Sequence, residues 1–159
     1  MKLSNGVEWA IHCCISLGQS RAPVPAARLA ELHGLPPGYL AKHLQALSQA
    51  GILRSTPGPT GGYSFTRPAG DITVLDVVQA VDGPEPAFRC TEIRQRGPLA
   101  QPPRDCAKPC AVNRAMQVAD RAWRAALRDI TIADLSDTID VDSSGSAMRD
   151  VRDWLDGSG

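Results

Sequence analysis

The sequence has no long apolar run, and this lack excludes an integral membrane protein. A membrane-spanning helix needs about 20 predominantly apolar residues, and no such stretch occurs in the 159 residues. The most apolar N-terminal stretch contains Glu8 and His12, and no small-residue cleavage site follows it, so no secretory signal peptide is predicted. We therefore expect a cytoplasmic protein, whose five cysteines are better suited to reactivity, metal binding or burial than to structural disulfides.

The net charge is zero, but the charged residues are unevenly distributed along the chain. Residues 1–70 carry six basic and two acidic residues, residues 71–133 carry nine and eight, and residues 134–159 carry two and seven. A basic first half is typical of a chain that presents one face to a polyanion. Because there are no internal repeats and 43% of the residues are hydrophobic, we expect a globular protein with one domain, or one small domain with an appended helix.

Apolar periodicity predicts three short helices before residue 51. The first spans 6–17, where Asn5 and Glu8 resemble a capping box and a glycine follows the last turn. The second spans 26–32 and is closed by a glycine, and the third starts at a Pro-Pro pair and spans 37–50. Two short helices joined by a turn that contains glycine predict a helix-turn-helix.

The next segment predicts a wing and a fourth helix. Strand-like residues 52–55 and 63–66 flank the turn-rich residues 56–62, which predicts a small β-hairpin. Thr73 can cap a helix that continues to Gly83. Residues 1–83 therefore predict a mainly α-helical, winged helix-turn-helix domain that binds DNA.

The second half of the chain predicts three further segments. Residues 84–109 are rich in proline without periodicity and predict a functional loop. Residues 110–135 contain a long amphipathic helix, for which we favour dimerisation over packing on its own chain, because its apolar stripe exceeds what a small domain needs to cover. Residues 136–159 predict an acidic linker, over 136–145, and a short terminal helix.

The third helix offers the side chains that a recognition helix uses. In a helix-turn-helix the second helix enters the major groove, where short polar and basic side chains address base edges and phosphates. Basic and polar residues of a wing typically meet phosphate or the minor groove. Each residue alone is compatible with an ordinary solvated surface; the ordered set favours DNA binding. The predicted DNA-binding residues are Tyr39, Lys42, His43, Gln45, Gln49, Arg54, Thr60 and Arg67.

The cysteines divide into two groups. Cys14 lies on the apolar stripe of the first helix and is a candidate core residue, while Cys13 receives no role. Cys90, Cys106 and Cys110 lie in or at the end of the loop. Cys106 and Cys110 form a compact chelating pair at the expected start of the long helix, where backbone N–H groups stabilise thiolates. A reactive dithiol without metal is the competing interpretation.

The first helix adds a second candidate pair of ligands. Glu8 and His12 are one turn apart, so both side chains project from one side of the helix and can bind one ion. An exposed ion pair between them is the alternative. Trp9 lies beside them and is either a core residue or a shield of the site.

Several motifs together resemble a known family. Residues 1–135 are similar to the IscR/NsrR-type family of winged-helix iron-sulfur transcriptional regulators, and within it to redox sensors of the RsrR type. The hairpin and the Ile-Thr-Val helix that follows it are the most specific parts. The motifs are Met1–Ser4, Tyr39–Leu40, Ala50–Arg54, Gly58–Tyr63 and Ile72–Val78, followed by cysteines before a long helix.

The resemblance implies a homodimer that binds double-stranded operator DNA and carries a 2Fe-2S cluster held by Cys, Glu and His. Glu8 and His12 of one subunit would bind one iron, and two loop cysteines of the other subunit would bind the second. We expect these to be Cys106 and Cys110, with Cys90 in reserve. Trp9 and His33 are candidates for relaying a change at the cluster to the DNA-reading helices.

Two other functions compete with this one. The same dimer could sense thiol oxidation or nitric oxide through its cysteines without iron. A thiol oxidoreductase is disfavoured, because no thioredoxin-like βαβ pattern surrounds the cysteines and the wing would remain unexplained. We therefore expect a regulator and not an enzyme.

Overall fold

The computed structural model describes residues 3–157, which form two compact units. Residues 3–84 and 127–157 form the first, which we call the winged-helix unit, and residues 85–126 form the second, the cysteine unit. Met1 and Lys2 of the family motif, and the last two residues of the predicted terminal segment, lie outside the described residues. No helix within 3–157 has the length and apolar character that crossing a bilayer requires.

The predicted winged-helix elements are confirmed, with bounds that differ by a residue or two. Helices α2 and α3 form the helix-turn-helix, and Gly34 ends α2 with a left-handed φ of 62°. Strands β1 and β2 form the antiparallel hairpin, which pairs Leu53 with Phe65 and Thr56 with Gly62. The elements are α1 (Asn5–Leu17), α2 (Ala26–His33), α3 (Pro37–Gln49), β1 (Leu53–Thr56), β2 (Gly62–Phe65) and α4 (Val74–Asp82).

A single apolar core holds the winged-helix unit together. Leucines of α2 and α3, including Leu29, Leu40 and Leu44, are fully buried together with Ile72. Helix α1 contacts both α3 and α4 across this core. Burying each such side chain stabilises the fold by about 2 kcal/mol, so the position of α1 against the recognition helix is fixed by packing.

The hairpin is attached to the helix-turn-helix by a close backbone contact. Tyr63 and Val24 exchange two backbone hydrogen bonds of 2.8 and 2.9 Å. Gly62, with φ at 148°, permits this approach, because a Cβ there would lie 2.3 Å from the Val24 carbonyl carbon. The wing is therefore held to the segment that leads into α2.

The predicted capping box of α1 is wrong. Asn5 is already helical, and Ser4 occupies the N-cap position without a side-chain cap hydrogen bond. The Ser4 backbone N–H and hydroxyl instead donate to the carboxylate of Asp82 at the end of α4. A tertiary contact, and not a local one, fixes the start of α1.

The predicted acidic linker is also wrong, because residues 132–142 form a helix. We label the remaining helices α5 (Ala111–Arg128), α6 (Ile132–Asp142) and α7 (Ala147–Asp156). Thr131 and Asp134 form a reciprocal capping box at the start of α6. Ile132 is fully buried in the core, so α6 belongs to the winged-helix unit.

Helix α7 confirms the predicted terminal helix and packs on the same unit. Met148 is 7% exposed within the core. The Arg28 guanidinium of α2 lies 3.6 Å from the centroid of the Trp154 ring and donates to the Trp154 carbonyl at 2.9 Å. The C-terminal segment therefore touches the first helix of the helix-turn-helix.

The cysteine unit contains the proline-rich loop and most of α5. Two short 3-10 turns, Ile93–Gln95 and Pro103–Cys106, interrupt the predicted structureless loop. Helix α5 confirms the predicted long helix and belongs to this unit as far as Ala126.

Candidate functional site

The recognition helix presents an exposed polar surface. Tyr39 is 68% exposed, and Lys42, Gln45 and Gln49 are also exposed, while Leu40, Leu44 and Leu47 of the same helix are buried. This surface carries one cation and two amides, a combination suited to phosphate oxygens and purine edges.

His43 occupies a different position from its neighbours on α3. It is half-buried, and its ring lies edge-on to Trp9 of α1, with centroids 6.0 Å apart and planes at 78°. The same ring lies against Gly6, where an added Cβ would be 2.2 Å from the ring Cε1 atom. The structure therefore places this predicted DNA-binding residue between the recognition helix and α1.

The wing residues also differ from one another. Arg54 and Thr60 are exposed, and the Arg54 Nε donates to Ser64 across the hairpin at 3.1 Å. Arg67, in contrast, donates to the carbonyls of Gly51 and Asp71 and pairs with the Asp76 carboxylate at 3.4 Å. Its guanidinium joins the end of α3 to α4, which leaves it fewer donors for phosphate.

Glu8 and His12 lie exposed on α1, as the helical spacing predicts. They form no ion pair with each other, and no hydrogen bond of either side chain occurs within residues 3–157. Both residues line a cavity of about 420 Å³ on the winged-helix unit. The structure therefore does not contain the i, i+4 salt bridge between Glu8 and His12 that was the alternative interpretation.

His33 connects this pair to the helix-turn-helix. Its ring centroid lies 6.0 Å from that of His12, and its Nε2 atom lies 3.0 Å from the hydroxyl of the buried Ser16. Burial lowers the pKa of His33, and the neighbouring His12 lowers it further. Ser16 lies on α1 and His33 at the end of α2, so this contact joins the two helices.

The cysteine unit brings together a different pair of sulfurs from the one favoured by spacing. The Sγ atoms of Cys90 and Cys110 are 3.7 Å apart, whereas Cys106 Sγ lies 3.8 Å from the Gln101 side-chain oxygen. Two thiolates on one tetrahedral ion with metal–sulfur distances of about 2.3 Å would be about 3.8 Å apart. The observed separation thus fits two ligands of one metal ion.

Cys110 lies at the start of α5, as expected. The backbone N–H of Asn113 donates to its sulfur at 3.2 Å, in the manner of an N-cap side chain. The hydrogen bond from Asn113, then the one with the Cys90 thiol and last the positive charge of the nearby Arg94 lower the pKa of Cys110. The helix terminus therefore favours a thiolate at this position.

Arg94 is a residue that the sequence analysis missed. Its guanidinium binds both carboxylate oxygens of Glu92 and donates to the Lys108 carbonyl at 3.0 Å. The Arg94 carbonyl accepts a 2.7 Å hydrogen bond from the Gln101 backbone, and the guanidinium lies within the field of the Cys106 and Cys110 sulfurs. No periodic signal identifies such a residue, because these contacts depend on how the loop folds back.

Cys13 and Cys14 are fully buried in the winged-helix unit. Burial raises the pKa of the Cys13 thiol to about 12, and it raises that of Cys14 still more. The core assignment of Cys14 agrees with this position, and burial disfavours the reactive thiolate form of both residues.

The five candidate ligands lie in both units: Glu8 and His12 in the winged-helix unit, and three cysteines in the cysteine unit. Within residues 3–157, no group of three or more His, Cys, Asp or Glu side chains is gathered as a metal site.

Comparison with known proteins assigns the chain to a family. Residues 3–138 match the family model Rrf2, described as an iron-dependent transcriptional regulator. The chain belongs to the Rrf2 family. The expected resemblance to IscR-type winged-helix regulators is thereby confirmed, and this Rrf2 protein is a DNA-binding transcriptional regulator.

Individual Rrf2 relatives agree with this assignment. The protein YwgB of Bacillus subtilis (strain 168) is 32% identical over 98% of this chain and 95% of its own length. The HTH-type transcriptional regulator IscR of Vibrio atlanticus (strain LGP32) is 35% identical over 57% of this chain and 53% of its own length. The structure of CymR, the global cysteine regulator of B. subtilis, matches with a TM-score of 0.65 and 21% identity over 87% of this chain and 98% of CymR. That likeness confirms the winged-helix fold.

Proposed function

We propose that this Rrf2 protein is a cytoplasmic homodimer that senses redox state through a 2Fe-2S cluster shared by two subunits, and that it regulates transcription by changing its affinity for operator DNA. The observation that carries the proposal is the presence of two separate pairs of possible metal ligands, one on α1 and one in the cysteine unit. Glu8 and His12 are exposed and make no side-chain hydrogen bond or ion pair within residues 3–157, and two loop sulfurs lie 3.7 Å apart.

Four donors fit the proposed cluster. Glu8 and His12 of one subunit would hold one iron, and Cys90 and Cys110 of the other subunit would hold the second, because their sulfurs have the separation of two ligands on one ion. Cys106 is the alternative to Cys90. The lowered pKa of Cys110 favours the deprotonated form that metal binding requires.

The chemistry of a bound cluster would be one-electron transfer, for which a set with carboxylate and imidazole ligands is less negative than four thiolates and therefore easier to reduce, as in Rieske centres. The protein's part is to position the donors. The Asn113 backbone N–H and the Arg94 guanidinium stabilise negative charge on the sulfurs. Because Glu8 and His12 are residues of α1, a change in the charge or the ligands of the cluster would act directly on this helix.

The route from the sensor to DNA is the packing of α1. Helix α1 contacts α3, whose exposed face carries Lys42 and Gln45. Because a small displacement of a recognition helix changes the spacing of two half-sites in a dimer, a sensor needs only a few kcal/mol of differential stabilisation to control binding.

An absorption spectrum of the anaerobically purified protein tests the cofactor. We expect visible iron-sulfide charge-transfer bands, with two iron ions and two sulfide ions for each cluster site between the two subunits. Cys90→Ser, Cys110→Ser, Glu8→Ala and His12→Ala should each lose or shift these bands. Cys106→Ser and Glu31→Ala, an exposed carboxylate of α2, should keep them. Native metal content and an unchanged spectrum in Glu8→Ala and His12→Ala would disprove the mixed ligand set.

The redox switch has a separate test. An operator duplex can be obtained by selecting a random-sequence pool with the wild-type protein, and its affinity can then be measured for oxidised and reduced protein at one salt concentration. We expect the two affinities to differ by at least about tenfold, equivalent to 1.4 kcal/mol. Equal affinities would refute the switch even if a cluster is present.

The second candidate function is an iron-free thiol sensor, favoured by the same 3.7 Å contact. A peroxide would oxidise the Cys110 thiolate to a sulfenic acid, and the Cys90 thiol would displace water to form a disulfide. Colourless protein that gains a Cys90–Cys110 disulfide on peroxide treatment, detected by mass spectrometry, would favour this function.

A further inference from the structure

The contact between His43 and Gly6 joins the recognition helix to α1 in a way that only glycine allows. A Cβ at Gly6 would lie 2.2 Å from Cε1, 2.6 Å from Nε2 and 2.8 Å from Nδ1 of the His43 ring. Since Cβ atoms essentially never approach heavy atoms within 3.0 Å, the imidazole occupies the space that any larger residue would need. The ring therefore lies close to the α1 backbone at Gly6.

Trp9 holds the same ring from a second side. Gly6 and Trp9 are three residues apart and so share one face of α1, and the edge-on geometry at 6.0 Å and 78° is a favourable aromatic arrangement. Tyr39, Lys42 and Gln45, by comparison, are exposed on the outer surface of α3. The imidazole thus points to α1 while these neighbours face solvent.

We propose that His43 is a positioning residue for DNA reading: its ring, held between Gly6 and Trp9, sets the position of α3 against α1. A close-packed contact of this kind transmits a displacement, because interiors have little free volume. This role rests on the proposed DNA reading by α3, and it does not depend on whether the sensor is a cluster or a disulfide. His43 consequently fixes where Lys42 and Gln45 meet the bases without reading a base itself.

A double-mutant experiment tests the role. The probe is one duplex selected from a random-sequence pool by the wild-type protein, and affinities are measured at one salt concentration for Gly6→Ala, His43→Ala and the double variant. Gly6→Ala should weaken binding by about tenfold, although alanine is a better helix former than glycine. His43→Ala should weaken it by about threefold and, because it removes the clash, should restore the Gly6→Ala protein to the same level.

Three results would overturn the proposal. Losses that add in the double variant would mean that the two residues act independently. A changed base preference at one position, when His43→Ala is used to reselect the pool, would make His43 a base reader. Failure of the wild-type protein to select any sequence would refute the proposed DNA reading itself, and this outcome is visible before any variant is made.

Gly70→Ala is the matched control for an added methyl group, because the nearest atom to its Cβ is 4.0 Å away. It should bind the duplex as the wild type does. If Gly6→Ala is unfolded by circular dichroism, recovery of folding in the double variant confirms the steric contact. Reselection with His43→Ala then decides between positioning and base reading.

Discussion

Arg94 shows at the scale of one residue how a loop without regular structure is held. Its guanidinium joins Glu92 to Lys108, and its carbonyl accepts from Gln101. The hydrogen bond from Arg94 lowers the pKa of Glu92, and the same interaction raises that of Arg94. The side chain therefore joins two points of the loop, the backbone carbonyl joins a third, and the guanidinium supplies positive charge near two sulfurs.

Replacement of Arg94 should make the loop cysteines less reactive. In iron-free protein, Arg94→Gln removes a charge that helps to lower the pKa of Cys110, so the thiolate fraction at neutral pH falls. We expect alkylation of Cys110, followed by mass spectrometry, to slow by roughly threefold. Arg96→Gln, an exposed neighbour, is the control; equal rates in both variants would show that the Arg94 charge has no influence.

The residues whose surroundings sequence reasoning did not foresee are those whose environment comes from distant parts of the chain. His43 is polar and lies among exposed residues of α3, and its partial burial comes from Gly6 and Trp9 of another helix. The Cys90–Cys110 contact spans 20 residues and depends on how the loop folds around Arg94. Glu8 and His12 were placed correctly, because helical spacing alone puts both on one face.

At the scale of elements, local signals predicted most helices. Thr73 is the expected N-cap, in a capping box with Asp76, and Gly34 forms the expected helix end. Helix α6 was missed although its signals were present: Thr131 and Asp134 form a capping box, and Ile132, Leu135 and Ile139 form an apolar stripe. The acidic residues of α6 lie between these apolar positions. Their charge suggested a solvated linker, whereas in the structure they belong to a helix.

The capping box of α6 should make stability depend on acid pH. Hydrogen bonds from the Thr131 side chain and backbone lower the pKa of Asp134. Its contribution is therefore complete above the ordinary pKa of about 4 and is lost as the pH falls through the lower pKa of the folded state. Urea unfolding at several pH values should show Asp134→Asn less stable than wild type near neutrality, with a difference that shrinks in acid.

A control separates this effect from general acid sensitivity. Asp137→Asn, an exposed residue of the same helix, should follow the wild-type pH profile. A difference between wild type and Asp134→Asn that stays constant on acidification would contradict the assignment.

Helix α7 should contribute to the stability of the winged-helix unit. Met148 is 7% exposed in the core, so Met148→Ala should cost about 2 kcal/mol of unfolding free energy. Met148→Leu, which conserves volume, should cost less than about 1.5 kcal/mol. Denaturation curves of both variants test this, and equal stability in Met148→Ala and wild type would mean that α7 is dispensable for the unit.

At the scale of the whole molecule, α5 retains an apolar surface within a single chain. Met116 and Val118 are 41% and 58% exposed, and Met116 lies on the apolar stripe predicted for dimerisation. We expect sedimentation velocity to show a dimer for the wild type. Met116→Asp should yield a monomer that loses both operator binding and metal, because a buried charge in an interface is costly.

Val118→Asp serves as the matched variant for this experiment. Residue 118 is two positions away and so lies on nearly the opposite side of the helix from Met116. It should remain a dimer. A dimer with Met116→Asp, or a monomer only with Val118→Asp, would place the interface elsewhere on the surface.

The burial of Cys13 and Cys14 affects how the protein ages under oxidative stress. Their thiols are enclosed in the core, whereas Cys90 is exposed and Cys106 partly so. An oxidant that diffuses to the protein meets the loop sulfurs first, and the core thiols of the winged-helix unit are shielded from the same reagent. Oxidation can thus modify the cysteine unit while the buried thiols of the winged-helix unit stay intact.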